Sequence, residues 1–488
     1  MTTKTREILP LPITHTLNNH ARETVRWCTP SLDNASARVI NPYESDVSVS
    51  YQLLGFPSEP SGIFKKAYDS AAKAYGADHT LFSVNGSTGS NFIVLRALSK
   101  QIPNLRILAQ RNVHKSVVAA CEDYSINLMF IPPRIDRELQ IFLPNTISEI
   151  LNAIKRTTPQ VLLITNPTYE GIVLDLKELV KRIRKEYPNL IIFIEEAWGA
   201  HLHFSKKLPV SAMEAGADIC IQSTHKQGGA LQQAGMIHWK NGKINSEILR
   251  DSYRILSTSS PSYILLASLD AAREMMMQRG NQVINHLLDI AQKLNYEINL
   301  LPNFKVITTS ELKERNSSVF DRDESKIIVD ITNTGFSGYQ IAQLLEDNQI
   351  IVEAYNQYSL LLLVPFRSTE KDVERTIAVL KTIKSASDKK IKRQPKLLLK
   401  ILKDIPKILE LRDVAKLLAN QIERVTLDQA QGRTSAENIT PYPPGIPTTI
   451  KGEEFTDKII HYYISLSKHP NSHIIASDKS LKTVLVVK

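Results

Sequence analysis

Cysteine is scarce in this chain: Cys28, Cys121 and Cys220 are the three in 488 residues, far apart and without metal-ligand spacing. That argues against a disulfide framework and a thiolate metal centre, and predicts a reducing, cytoplasmic setting with no metal. No stretch approaches the roughly 20 apolar residues of a membrane span, and Met1 to Arg6 leads into no apolar signal core. There is no internal repeat, and no G-x-x-x-x-G-K-[ST] phosphate loop. The formal charge of +10 suggests nucleic acid, yet much of it sits in one segment, from Lys384 through Lys389, Lys390, Lys392, Arg393, Lys396 and Lys400 to Lys403, with no interleaved aromatic residues to stack on bases. That segment reads as a solvated linker followed by an amphipathic helix. With 42% hydrophobic residues, the chain can bury more than one core.

What is present centres on one lysine. The apolar run A-D-I-C-I-Q at 217–222 is too short for a helix and reads as a buried strand; it leads into Ser223-Thr224-His225-Lys226 and then Gln227-Gly228-Gly229. Desolvation at a strand end lowers an amine's pKa, and a neutral amine attacks an aldehyde to form a Schiff base. The nearby serine and imidazole can hydrogen-bond a phosphate. Upstream, P-N-L-I-I-F-I at 188–194 runs into Glu195-Glu196-Ala197-Trp198-Gly199. Acid at the carboxyl end of a buried strand is where an open α/β sheet presents its chemistry, and Glu195 is the candidate partner of a pyridine nitrogen. A third strand, L-F-S-V at 81–84, meets N-G-S-T-G-S-N at 85–91 ahead of a helical stretch, an anion cradle of free N–H groups and hydroxyls around Gly86, Ser87 and Thr88. In Arg111-Asn112-Val113-His114-Lys115-Ser116, the imidazole of His114 can stack on a planar ring.

The segments NGSTGS, RNVHKS, NPTYEG from Asn166, EEAWGAHLHF from Glu195, STHK and TPYPPGIP from Thr440 occur in that order. Together they resemble the pyridoxal-phosphate-dependent ornithine/lysine/arginine decarboxylases, in the short bacterial form without an amino-terminal receiver-like domain. The resemblance implies a fold type I enzyme, α/β with a mostly parallel sheet in its large domain, that binds pyridoxal 5'-phosphate. It implies that Lys226 carries the cofactor, that Ser87, Thr88, Ser223 and His225 surround the phosphate, that His114 stacks on the ring with Ala197 beneath it, and that Thr168 lies near the ring hydroxyl. Trp198 falls in the same cofactor-side motif. Thr258 and Ser259 match a stretch that reaches a neighbouring subunit's phosphate, which implies a homodimer. Four segments depart from the family pattern: Glu195 stands where aspartate is usual, Pro30-Ser31-Leu32-Asp33 replaces P-G-H-K, Leu54-Gly55-Phe56-Pro57-Ser58 replaces an acidic stretch, and Lys451-Gly452-Glu453 replaces P-G-E. These differences bear on substrate choice more than on cofactor binding.

The alternation of elements predicts an arm over 1–60, a cofactor-binding large domain over 61–270, a small domain over 271–384, a basic linker over 385–407 and a carboxy-terminal α+β domain over 408–488. The proline-rich run from Thr440 to Gly445 reads as a rigid loop without regular structure. The expected reaction is α-decarboxylation of a basic amino acid. Lys226 or an imidazole, His201 or His225, would return the proton to carbon. Glu437 and Glu453 are expected to hold the distal cation of the substrate. Two other readings stay open: loss of the α-proton, giving transamination, elimination or oxidative deamination, and a non-catalytic homologue that binds a partner.

Overall fold

The computed structural model describes residues 24–32, 46–50, 53–59, 61–383, 402, 405–442, 445–467 and 473–488. Most of the arm expected over 1–60, including Asp33, and nearly all of the basic linker, from Lys384 to Lys403, lie outside these residues.

A seven-stranded sheet positions the site. Its strands are β1 (His79–Ser83), β2 (Arg106–Gln110), β3 (Asn127–Ile131), β4 (Val161–Thr165), β5 (Ile191–Glu195), β6 (Ile219–Gln222) and β7 (Gly235–Trp239). They lie in the order β1-β7-β6-β5-β4-β2-β3, and β7 alone runs antiparallel to its neighbours. Every residue of β4, β5 and β6 is buried, as expected of parallel strands covered on both faces. The pleat sends alternate residues into two separate cores. Ile191 and Phe193 join Ile93, Val117 and Ile221, whereas Ile192 and Ile194 join Ile150, Leu179 and Cys220. Between β4 and β5 lies the helix Leu176–Glu186. Its N-cap Asp175 accepts the Glu178 N–H, and its apolar stripe Leu176, Leu179, Val180 and Ile183 is buried against the sheet.

A 37-residue helix, Tyr263–Asn299, begins in the large-domain core with Leu266 and Leu269 and ends in a second core with Leu287, Leu294 and Ile298. It therefore runs through the boundary expected near 270. The second core lies under a four-stranded antiparallel sheet of Lys305–Val306, Lys326–Asp330, Ser359–Leu363 and Ala354–Tyr355. Residues 24–32 of the arm belong here too, whereas Val49 and Leu54 pack on the large-domain core. Val25–Trp27 pairs in parallel with Ile350–Val352, and the fully buried Trp27 donates through Nε1 to Thr376 Oγ1 at 2.7 Å.

The carboxy-terminal unit has its own core around Phe455, Ile459, Tyr463 and Val484. One departure from expectation lies here: Thr440–Tyr442 is not an irregular loop but a strand paired with His473–Ile475. Among the described residues the pair has two strands, so Pro441 sits in an edge strand, where its missing N–H is tolerated. The unit is tied to the large domain by Arg111, which donates to Pro447 O at 2.6 Å and meets Glu453 at 3.1 Å, and by Lys115 N–H, which donates to Gly445 O at 3.0 Å.

Candidate active site

A cavity of about 490 Å³ opens at the carboxyl ends of β1, β4, β5 and β6. Lys226 reaches it from the single turn Thr224–Gln227 that follows β6, and its own carbonyl accepts the Ser31 N–H at 2.9 Å. Surrounded on its other sides, the Lys226 amine is pushed down to about 8 by burial, against the pull of Glu195 and Glu353. Its Nζ lies 3.8 Å from the centre of the Trp198 ring.

The pleat decides between the paired acids. Glu195 faces the cavity. Glu196 turns to the opposite face, where its carboxylate accepts Ala212 N–H and Gln222 Nε2 at 2.7 Å each and Cys220 Sγ at 3.4 Å. Burial raises the Glu195 carboxyl, partly offset by Lys226, the Ala197 N–H and the Thr165 hydroxyl.

An anion fits at the start of helix Gly86–Gln101. Asn85 makes no side-chain cap and the first turn holds no acid, so the Ser87 and Thr88 N–H groups are left without a capping acceptor. Gly86 sits at φ +58°, a left-handed conformation that suits glycine, and donates its N–H to Gln233 O at 2.6 Å. Ser87 Oγ meets Ser223 Oγ at 2.7 Å, and Thr88 lines the same wall. His225 Nδ1 lies 2.9 Å from Ala234 O, which requires the proton on that nitrogen; burial holds the ring down to about 4, hence neutral. His114 caps the helix Lys115–Asp123 through Nδ1, which accepts Ser116 N–H, and burial lowers it to about 3. Ala197 and Trp198 complete this side. A lysine, a facing carboxylate, an uncharged imidazole and an open helix start form a donor set that fits pyridoxal phosphate.

Other expected residues lie elsewhere. Thr168 is buried in the turn after β4, its hydroxyl accepting Ile172 N–H at 3.2 Å. His201 does not line the cavity; it is fully buried with Nε2 3.1 Å from Asp323 Oδ2. Thr258 and Ser259 are exposed, and Thr258 accepts Ser260 N–H at 3.1 Å. Glu437 is spent inside the carboxy-terminal unit, accepting Ser477 N–H and Leu485 N–H at 2.7 Å each. Glu453 holds Arg111 and the Ile450 N–H. These acids are engaged because buried N–H groups and a buried guanidinium need acceptors. Replacing Glu453 with alanine would strand Arg111, and the expected loss is about 3–5 kcal/mol, read as a lower denaturation midpoint.

The cavity supplies acids that the sequence reading passed over. Glu170 and Glu353 both line it, as do Thr29, Thr165 and Tyr169. Glu353 Oε1 accepts the Tyr169 hydroxyl and Oε2 the Thr29 N–H, each at 2.9 Å. Glu170 Oε2 is buried without a hydrogen-bond partner, and burial raises this carboxyl to about 7. A lone acid inside the apolar run Ile350-Ile351-Val352-Glu353-Ala354 was the available signal for Glu353.

Comparison with known proteins places these residues in a family context. Residues 40–372 match the model of the Orn/Lys/Arg decarboxylase major domain, and residues 405–474 match that of its C-terminal domain. An arginine decarboxylase of Bacillus anthracis is 34% identical over 439 residues, covering 88% of this chain and 86% of its own length. An inducible lysine decarboxylase of Escherichia coli is 25% identical over 550 aligned positions, covering 92% and 76%. The crystal structure of a lysine decarboxylase from Francisella novicida shares the fold, with a TM-score of 0.79 at 23% identity over 99% of this chain and 82% of that one.

Proposed function

Since the chain belongs to the ornithine/lysine/arginine decarboxylase family, we propose that it removes the α-carboxylate of a basic amino acid as carbon dioxide with the help of pyridoxal phosphate. The observation that carries this reading is the shared cavity of Lys226 and Glu195, with the uncapped start of helix Gly86–Gln101 in its wall. When bound, the cofactor supplies an aldehyde for an amine and a protonated ring that accepts the electrons left by departing carbon dioxide.

The side chains divide the remaining work. Ser87, Thr88, Ser223, His225 and the helix N–H groups hold the phosphate. His114, kept neutral, can lie against the ring without placing a second cation beside Lys226. Glu195 would hold the proton on the ring nitrogen, with Ala197 and Trp198 lining the same cavity. Lys226 Nζ, with a midpoint near 8, exists in both protonation states near neutral pH, so it can bear the cofactor and return a proton to the substrate's α-carbon. His201 is taken out of that role because it is fully buried and does not line the cavity. We assign the distal cation of the substrate to Glu170 and Glu353. An ammonium or guanidinium brought to Glu170 would satisfy its open oxygen and favour its ionised form. Thr258 and Ser259, exposed and outside the cavity of their own chain, suit a homodimer in which each subunit touches its partner's phosphate.

Two experiments test this. Holoenzyme incubated with arginine, lysine and ornithine should convert at least one to a product lighter by one carbon dioxide; a keto acid or aldehyde instead would support α-proton chemistry. Glu170→Gln should lower kcat/KM for the basic substrate by about 1.5–3 kcal/mol, with the cofactor absorbance unchanged. Normal kcat/KM in that variant would move the cation elsewhere.

A further inference from the structure

Two lysine amines face one indole. Lys326 is fully buried at the start of strand Lys326–Asp330, and its Nζ lies 3.9 Å from the centre of the Trp198 ring that Lys226 approaches at 3.8 Å. The stem of Lys326 passes Gly171, where φ is +84° and an added Cβ would stand 3.0 Å from Lys326 Cδ. Its Nζ donates to Tyr169 O at 2.8 Å. The Tyr169 ring meets Trp198 edge-on, with centroids 4.8 Å apart at 74°, and its hydroxyl donates to Glu353 Oε1. The approach of this strand is fixed on both sides: Gln227 Nε2, next to Lys226, donates to Ser325 Oγ at 2.8 Å, and Asp323 Oδ2 lies 3.1 Å from His201 Nε2. A strand needed only for packing would begin with an apolar residue, as Ile327, Ile328 and Val329 continue it, because burying an amine is costly.

Taking the proposed function as the premise, we propose that Lys326 is a positioning residue for the substrate end of the cavity: by holding the Tyr169 carbonyl and the Trp198 ring, it fixes the Glu353 carboxylate that receives the substrate's distal cation. Burial lowers the Lys326 amine itself to about 7, and in its protonated form it opposes the burial that raises the Glu353 carboxyl.

Lys326→Met and Lys326→Arg, loaded with pyridoxal phosphate, are compared with the native protein for cofactor affinity and for the dissociation constants of lysine, arginine, ornithine and norleucine, which lacks the distal cation. Lys326→Met should bind the cofactor normally and weaken the basic ligand at least about tenfold while norleucine changes by less than about twofold; Lys326→Arg should recover most of that loss. Equal losses for lysine and norleucine, or no loss at all, would overturn the inference. If Lys326→Met does not fold, Tyr169→Phe decides: it removes the hydroxyl on Glu353 and keeps the carbonyl that Lys326 holds, so the same selective loss is expected, and normal binding of the basic ligand refutes the proposal. A native protein that binds none of the three basic amino acids would sink the functional reading itself; a native protein that binds one, beside an unaffected Lys326→Met, would sink only this inference.

Discussion

Lys226→Ala is expected to eliminate covalent retention of pyridoxal phosphate and to lower turnover by at least roughly 10²–10⁴-fold. The argument rests on what surrounds the amine. Burial pushes Lys226 down to about 8 although Glu195 and Glu353 pull it upward. Because its protonated form is the one burial penalises, raising the pH through 8 frees the amine for reaction, where an exposed lysine would need about 10.4. Lys326 cannot substitute for it, since its Nζ is engaged by Tyr169 O and it does not line the cavity. Borohydride reduction and peptide mapping should find the pyridoxyl group on Lys226 in the native protein; label on another lysine would refute the assignment.

Glu195→Gln should leave the protein folded and able to take up the cofactor, with turnover lower by roughly 10²–10⁴-fold. A carboxylate facing the cavity stabilises a pyridinium by charge, and an amide of the same shape does not. Glu196 cannot take over, because its oxygens are held on the other face of the sheet by Ala212, Gln222 and Cys220. The longer side chain of glutamate, where related enzymes usually carry aspartate, is accommodated at the very end of β5, beside Thr165 and the Ala197 N–H. Near-normal turnover in Glu195→Gln would mean that the reaction needs no charged partner for the ring.

The Lys226 end of the cavity could be grouped from the sequence because its lining is local. Strand, turn and polar cluster are contiguous at 81–91, 191–198 and 219–226, and short continuous apolar runs marked the strands. The Glu170 and Glu353 end could not. Glu353 comes from the small domain and Glu170 from a turn, and only the docking of strand Lys326–Asp330 beside residues 169–171 brings them together. Glu437 and Glu453 were expected as substrate ligands, and the structure engages both with backbone N–H groups, because a sequence shows an acid beside a loop and not which buried N–H groups it must satisfy. Lys326 stands at one end of an apolar strand, and its indole partner Trp198 lies 128 positions away in sequence.

The most direct test of the central claim is turnover of carboxyl-labelled arginine, lysine and ornithine in heavy water. The account predicts labelled carbon dioxide together with an amine that keeps its original α-hydrogen and gains a single deuterium at the same carbon, and loss of both products in Lys226→Ala. Label retained in a keto acid, or an amino acid that exchanges its α-hydrogen without releasing carbon dioxide, would contradict it.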